Sequence, residues 1–285
     1  MNFTHQLING RILPKEEALI PLTDLGMLRA YGIFDFFRVL GGIPVFIEDH
    51  LDRMANSTRE LSLDLPWSRD EIRGMIHALI AANQAADAGF RIVVTGGFSE
   101  DGFTPGTPNL YMMLHPLPVY DLNDWRTGCS LITTPYVRDI PTAKTCIYVN
   151  SLLAYPAMKR AGAVEVLYHW KGSITECSRS NVFFVTPEGV LVTPAEGMLH
   201  GITRKQVLTL AGQMGIPVEL REIHLEEIPW VREAFITSST RGVLPITRID
   251  QIHIGDGQPG LTTLQLQDAF QALVKRTLAE AIQGV

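Results

Sequence analysis

The alternation of apolar and polar positions predicts short strands and amphipathic helices in the first part of the chain. The alternation over residues 3–7 leads into Asn9-Gly10, a pair typical of a hairpin turn. A second hairpin is predicted at Gly41-Gly42. Ser68 and Glu71 have capping-box spacing ahead of apolar residues at helical intervals. The other predicted elements are strands at 36–39, 43–47, 90–95 and 109–114 and a helix over 48–61.

A stretch with two prolines and little periodicity interrupts this pattern at residues 115–124. It predicts a linker at 116–126 between a smaller N-terminal domain, 1–115, and a larger C-terminal domain, 127–285. Both halves mix strands and helices without strict βαβ alternation, which predicts two α+β domains. Elements predicted after the linker are strands at 130–133, 165–169, 182–186 and 190–192 and helices at 146–161, 203–214 and 262–282.

Composition narrows the class of protein. The 285 residues are 46% hydrophobic and carry a net charge of −6 without a run of Lys or Arg, which argues against nucleic acid and anionic membranes as partners. Three cysteines without a C-x-x-C motif favour a reducing compartment. The opening residues, Met1 to Gln6, lack the basic and apolar regions of a signal peptide, and no apolar run is long enough to span a membrane. The expected location is the cytoplasm.

The spacing of histidines and glycines argues against a metal site and against a dinucleotide site. The eight histidines are scattered without a metal-binding motif, so no metal site is expected. Gly255, Gly257 and Gly260 spell G-x-G-x-x-G, but Pro259 lies inside the motif and only 25 residues follow. That is too little chain for the βαβ unit of a dinucleotide site.

Lys144 is a candidate nucleophile because it lies in a mostly uncharged segment, 141–150. Burial there would lower the pKa of the amine and make it reactive towards an aldehyde. Glu176 precedes a predicted apolar strand and is a candidate to hold a ring nitrogen protonated. Taken alone, Lys144 is better explained as a surface lysine at a helix start than as a nucleophile. For Glu176 alone, an ion pair with Arg179 explains the residue about as well as a role at a ring nitrogen does.

Two polar segments are candidate anion sites. Gly201-Ile202-Thr203-Arg204 opens a predicted helix, and free N–H groups at a helix start bind phosphate. Thr203 is also an ordinary N-cap candidate, which is the better interpretation in isolation. The hydroxyl run 237–240 follows a predicted strand and is either a polar strand end or a further source of donors for the same anion.

The order of these candidate residues along the chain resembles that in fold-type IV pyridoxal-5′-phosphate (PLP) enzymes. This group contains branched-chain aminotransferases, D-amino acid aminotransferases and aminodeoxychorismate lyase. The resemblance extends from about Asp24 to Phe270. Its landmarks are 50–53, Lys144-Thr145, Thr175-Glu176, 180–183, Thr193-Pro194, Leu199, 201–204 and the hydroxyls up to Thr240. It implies a two-domain α+β fold, homodimers or larger assemblies with shared active sites, and PLP as cofactor.

The resemblance also implies roles. Lys144 would bind the cofactor covalently and move the substrate proton, and Glu176 would pair with the pyridine nitrogen. Tyr148 would lie near the cofactor O3′, and Leu199 would pack on the ring. The residues that would hold the phosphate are Arg53, Ile202, Thr203, Ser239 and Thr240.

Two arginines depart from the common family pattern. Arg29 and Arg179 stand where the family usually has aromatic or small residues, and they would form a replacement trap for the substrate carboxylate. This resembles D-amino acid aminotransferases with an arginine-rich pocket, and it implies D-alanine or D-glutamate as donors and 2-oxoglutarate or pyruvate as acceptors. The alternative is surface pairing of both arginines with Glu100, Asp101 or Asp35.

Three other functions stay open at this point. A branched-chain L-amino acid aminotransferase uses the same machinery, and aminodeoxychorismate lyase would release pyruvate without an amino acceptor. A PLP-binding or purely structural protein without turnover is the third possibility, and the joint presence of Lys144, Glu176 and Arg53 argues against it.

Overall fold

Two separate β-sheets organise the computed structural model, which describes residues 3–283. One compact unit contains the chain up to Pro118, the segment Thr142–Ile147 and the chain from Arg276 on. The other contains Val119–Pro141 and Tyr148–Lys275. The sequence pattern did not predict that Thr142–Ile147 and the chain from Arg276 on belong to the first unit. Residues 1, 2, 284 and 285 lie outside the described residues. They are the end residues of the two predicted domains, and Met1 and Asn2 also open the stretch that lacks the features of a signal peptide.

The first unit contains a six-stranded antiparallel sheet in the order β2-β1-β6-β5-β3-β4. Both predicted hairpins are confirmed, with Ile8 opposite Arg11 and Leu40 opposite Ile43. The strands are β1 (His5–Ile8), β2 (Arg11–Pro14), β3 (Gly32–Leu40), β4 (Ile43–Pro44), β5 (Ala88–Thr95) and β6 (Asn109–His115).

Among the described residues, three helices lie entirely within this unit: α1 (Leu25–Arg29), α2 (Ile47–Glu60) and α3 (Arg69–Ala82). The capping box predicted for Ser68 and Glu71 is present at the start of α3. Helix α2 packs against β3 and buries Leu51 and Met54. It therefore fixes the side chains of its inner face relative to the strand.

The second unit contains nine strands among the described residues, in the order β12-β11-β10-β13-β14-β7-β8-β9, with β15 paired to β14. Its apolar core includes Phe183 and Phe235, whose rings stack with centroids 4.8 Å apart. The strands are β7 (Cys129–Pro135), β8 (Glu165–Trp170), β9 (Ser173–Cys177), β10 (Asn181–Val185), β11 (Leu191–Thr193), β12 (Val218–Leu220), β13 (Glu233–Ser238), β14 (Gly242–Ile249) and β15 (Ile252–His253).

The remaining helices are α4 (Asn123–Thr127), α5 (Val149–Arg160), α6 (Ile202–Gln213) and α7 (Leu261–Gln283), with a 3₁₀ helix at Leu225–Trp230. Helix α4 overlaps the end of the segment 116–126 that was predicted as a linker and extends one residue beyond it. Helix α5 begins three residues later than predicted, because residues before Ile147 are engaged in strand-like pairing. In the part of the chain that the structure describes, no helix has the length and apolar character of a membrane span.

Strand β9 was not predicted. Its sequence, Ser-Ile-Thr-Glu-Cys, mixes polar and apolar residues, yet Thr175 and Glu176 are both buried. Glu176 therefore lies within a strand of its own, and the apolar strand predicted to follow it is β10.

Asp24 is a fully buried carboxylate that holds several elements of the first unit in place. One oxygen caps α1 by accepting the N–H of Gly26 at 2.7 Å. The other accepts hydrogen bonds from Thr95 Oγ1, Asn109 Nδ2 and the Tyr111 hydroxyl at 2.7–2.9 Å. One side chain thus joins α1 to β5 and β6.

Replacing this carboxylate by an amide is expected to destabilise the protein. In Asp24→Asn, the NH₂ group faces donors, so the free energy of unfolding should fall by about 1–3 kcal/mol. Urea unfolding followed by circular dichroism measures the difference. The exposed Asp64→Asn in the same unit is the matched control; equal effects of the two substitutions would contradict the argument.

Candidate active site

Lys144 is fixed by backbone pairing to the first unit's sheet. Phe34 N donates to the Lys144 carbonyl, and Cys146 N donates to the Gly32 carbonyl, both at 2.9 Å. Lys144 N donates to Ser57 Oγ on α2 at 3.1 Å. The expectation of a surface lysine at a helix start is therefore wrong for the backbone, which is extended and held on two sides.

The Lys144 amine lies 4.6 Å from the centroid of the Phe34 ring. The guanidinium carbon of Arg91, on β5, lies 5.0 Å from the same centroid. Phe34 thus contacts two cations, and its negative ring face stabilises both. Arg91 carried no signal in the sequence, since it is one basic residue within an apolar strand.

Arg53 belongs to a buried charge cluster on the inner face of α2. Its Nε and Nη2 donate to the two carboxylate oxygens of Asp35 at 2.9 and 2.7 Å, and His50 Nδ1 lies 2.7 Å from Asp35 Oδ1. The fork geometry orients the guanidinium and leaves Nη1 outside this pair. Burial raises the pKa of Asp35, but Arg53 and His50 together outweigh it and hold the pKa well below its usual range. Burial lowers the pKa of His50.

Arg29 lies in the last turn of α1 with an exposed side chain. Its Nη1 donates to the Leu28 carbonyl at 2.9 Å. Of its possible acidic partners, Asp35 is engaged by Arg53 and His50, and Asp101 accepts bonds from its own loop.

Glu176 is a buried carboxylate of the second unit, with a side chain only 7% exposed. Its Oε1 accepts Arg138 Nε at 2.7 Å, and its Oε2 accepts the backbone N–H of Leu199 at 3.1 Å. The alternative pairing with Arg179 is wrong, because Arg138 takes that place. Arg138 was missed, since it stands alone in an irregular segment without a motif.

The chain between Leu199 and Thr203 is held against β10. Asn181 Nδ2 donates to the Leu199 carbonyl at 2.7 Å. A Cβ on Gly201 would collide with Asn181 Oδ1, so only glycine fits at that position. Gly201 is the N-cap of α6 and makes no side-chain cap, while Ile202 and Thr203 are buried in the first turn. The first N–H groups of a helix lack partners within the helix, which suits this end to an anion.

Hydroxyl groups collect at the end of β13. Thr237, opposite Asn181 in the ladder, has a buried Oγ1 that finds no hydrogen-bond partner within residues 3–283. Ser239 and Thr240 follow and are half-buried, and the Tyr120 hydroxyl donates to Thr240 Oγ1 at 3.1 Å. A buried hydroxyl without a partner is rare and indicates a ligand or water at this position.

Tyr148 occupies the N-cap position of α5. Burial raises the pKa of its phenol to about 12. The hydroxyl is therefore protonated at neutral pH and can donate a hydrogen bond.

Arg179 follows β9 and has an exposed side chain. Its Nη2 donates to the Val164 carbonyl at 3.2 Å, and its Nε lies 3.9 Å from Glu165 Oε1. The carboxylate beside it is therefore Glu165, which is not among the surface acids expected from the sequence.

The sequence-predicted residues divide between the units. The first carries Lys144, Arg53 and Arg29; the second carries Tyr148, Glu176, Arg179, Leu199, Ile202, Thr203, Ser239 and Thr240. Within the second unit, Glu176 and Leu199 are joined directly by a hydrogen bond.

A family model for amino-transferase class IV matches residues 32–249, and the chain therefore belongs to this family. A putative branched-chain-amino-acid aminotransferase of Methanocaldococcus jannaschii is 31% identical over 275 residues, covering 93% of this chain and 94% of the relative. A D-alanine aminotransferase of Bacillus licheniformis is 28% identical over 281 residues, covering 97% and 99%.

A solved structure agrees with this assignment. The branched-chain aminotransferase from the thermophilic archaeon Thermoproteus uzoniensis, solved with norvaline, superposes with a TM-score of 0.85 at 25% identity and covers 95% of this chain and 94% of its own. The resemblance to fold-type IV enzymes and the mixed α and β fold are confirmed. Class IV aminotransferases use PLP, and a further structural neighbour was solved with pyridoxamine 5′-phosphate.

The residues present fit this cofactor. Glu176 is a buried carboxylate with a fixed orientation, and such a group suits a protonated ring nitrogen. The uncapped start of α6 and the orphaned Thr237 hydroxyl suit a phosphate. Lys144 supplies the amine that covalent attachment needs.

The raised pKa of Tyr148 predicts a late ionisation. A tyrosinate titration by ultraviolet difference spectroscopy should show that Tyr148→Phe removes a transition near pH 12. Since the folded pKa lies above the ordinary value, ionisation of Tyr148 favours unfolding between about pH 10 and 12. If the substitution removes a transition at or below pH 10, the phenol is not desolvated as described.

Proposed function

We propose that this protein is a PLP-dependent D-amino acid aminotransferase. It moves the amino group of D-alanine or D-glutamate to 2-oxoglutarate or pyruvate. The observation that carries the chemistry is Glu176, an ionisable group held dry and oriented by Arg138 and the Leu199 N–H. A D-specific reaction is supported by the D-alanine aminotransferase relative and by the arginines at positions 29 and 179.

When bound, PLP supplies an aldehyde that combines with amines and a ring that accepts the electron pair released at the substrate Cα. Lys144 would hold the cofactor through its Nζ, and its amine would act as the base that carries a proton between the substrate Cα and the cofactor C4′. Its backbone is anchored to β3 and Ser57, so only the side chain has to move. The Glu176 carboxylate would accept a hydrogen bond from the protonated ring nitrogen and so favour its charged form.

Phosphate binding falls to a second group of residues. Arg53, already oriented by Asp35, offers its remaining N–H groups to the dianion. The N–H groups of Ile202 and Thr203 and the hydroxyls of Ser239 and Thr240 add hydrogen bonds. Tyr148 would donate a hydrogen bond from its hydroxyl to the cofactor O3′, and Leu199 would pack on the ring.

The substrate carboxylate binds Arg29 and Arg179. We propose a cytoplasmic homodimer in which Arg29 comes from the neighbouring subunit. Both side chains are exposed in the single chain, Arg179 by 54%, which suits cations that bind an incoming anion.

A branched-chain L-amino acid aminotransferase is the second candidate, favoured by the 31% identity to the Methanocaldococcus jannaschii protein. The same Lys144 and Glu176 would serve it. Only the wall of the pocket that receives the carboxylate would differ.

The deciding experiment is a half-reaction survey of the yellow holoenzyme with paired D- and L-amino acids, followed by absorbance. D-Alanine should bleach the cofactor band and release pyruvate, whereas L-leucine should not. Lys144→Ala is the control, since borohydride treatment and peptide mapping should label Lys144 in the wild type and no lysine in the variant. Bleaching by L-leucine alone would support the second candidate, and acceptor-independent pyruvate release from aminodeoxychorismate would indicate a lyase.

Arg179→Ala tests the carboxylate site. Losing a charge-assisted pair should raise KM for the amino acid by about tenfold or more while the cofactor spectrum stays unchanged. Steady-state kinetics and a PLP titration measure the two effects, with the exposed Arg160→Ala as matched control. Loss of bound cofactor in the Arg179 variant would assign this residue to the phosphate instead.

A further inference from the structure

Glu165, the first residue of β8, is a buried carboxylate whose two oxygens are already supplied with donors. Oε1 accepts Arg241 Nη1 at 2.7 Å and Ser180 Oγ at 2.8 Å. Oε2 accepts the backbone N–H of Arg179 at 2.9 Å and Ser178 Oγ at 3.4 Å. The guanidinium of Arg179 lies farther away, with Nε at 3.9 Å from Oε1.

Two arginines therefore compete for one carboxylate, and Arg241 holds it. Arg241 is only 11% exposed, and its guanidinium carbon also lies 4.9 Å from the centroid of the Tyr120 ring. Its carbonyl accepts Trp125 Nε1 at 3.1 Å. The side chain is thus fixed from two sides, whereas that of Arg179 is 54% exposed.

The charges of Glu165, Arg179 and Arg241 show which arginine is left for another partner. One buried negative charge and two positive charges leave a net charge of +1, and the more exposed cation is Arg179. Without Arg241, Glu165 would lose its shortest ion pair, and an unpaired buried carboxylate is costly. The Arg179 side chain is the cation within reach that would compensate.

We propose that Arg241 is a positioning residue that occupies Glu165 and so keeps the Arg179 guanidinium available for the substrate carboxylate. The proposal rests on the proposed role of Arg179 in substrate binding and extends it. Arg241 itself is assigned no contact with substrate or cofactor. It sets substrate affinity by deciding which arginine the buried carboxylate captures.

Arg241→Met, studied as holoenzyme, should raise KM for D-alanine on the order of tenfold, the effect of a lost charge-assisted contact, with kcat and the cofactor spectrum little changed. The double variant Glu165→Gln, Arg241→Met lacks the Glu165 carboxylate that would attract Arg179. Its KM should therefore return towards the wild-type value. Arg241→Lys retains a cation for Glu165 and should stay near the wild type. Arg248→Met, on the strand β14 that follows Arg241, is the matched control.

Several results would overturn the proposal: an unchanged KM in Arg241→Met, an equal rise in the double variant, or loss of bound cofactor. If Arg241→Met does not fold, Arg241→Lys decides, since a tenfold higher KM there would contradict a charge-based role and a near-normal KM would support it. Failure of the proposed function is distinguishable, because Arg179→Ala would then leave KM unchanged. If Arg179→Ala raises KM and Arg241→Met does not, only the positioning role is wrong.

Discussion

Removing a carboxylate from water costs more free energy than one contact returns, so a buried carboxylate must be surrounded by fixed donors. This constraint recurs in both units. Asp24 holds α1 against β5 and β6, and Asp35 orients Arg53. Glu165 and Glu176 bind the segments that follow β9 and precede α6. Each of these carboxylates fixes a residue or segment to which we assign a function.

Helix α2 illustrates how one element supplies several groups. Its inner face presents His50, Arg53 and Ser57 at helical intervals: His50 and Arg53 both contact Asp35, and Ser57 contacts the segment that carries Lys144. Ser57 accepts the backbone N–H of Lys144, while Arg53 pairs with Asp35 on β3. The helix thus anchors the amine-bearing residue and the proposed phosphate ligand to the same strand.

The residue that we propose for the ring nitrogen and the arginines that we propose for the substrate carboxylate lie in different kinds of environment. Glu176 is buried and its partners are fixed, which suits a group that must keep one orientation through the reaction. Arg29 and Arg179 are exposed, and their guanidinium groups donate to nearby backbone carbonyls. Such side chains can reorient towards a ligand, and their availability depends on how neighbouring charges such as Glu165 and Arg241 are paired.

The sequence by itself determined the family, the hairpins, the capping box and the main helices, because these depend on residues a few positions apart. Lys144, Glu176 and the 201–204 segment were likewise recognisable from their order along the chain. Arg138, Arg91, Asp35, Glu165 and Arg241 were not, since each acquires its partner from a distant segment. Strand β9 and the pairing of residues 144–146 with β3 were also decided by tertiary structure. Their sequences mix polar and apolar residues without a clear period, and only contact with distant segments supplies the hydrogen bonds that hold them in place.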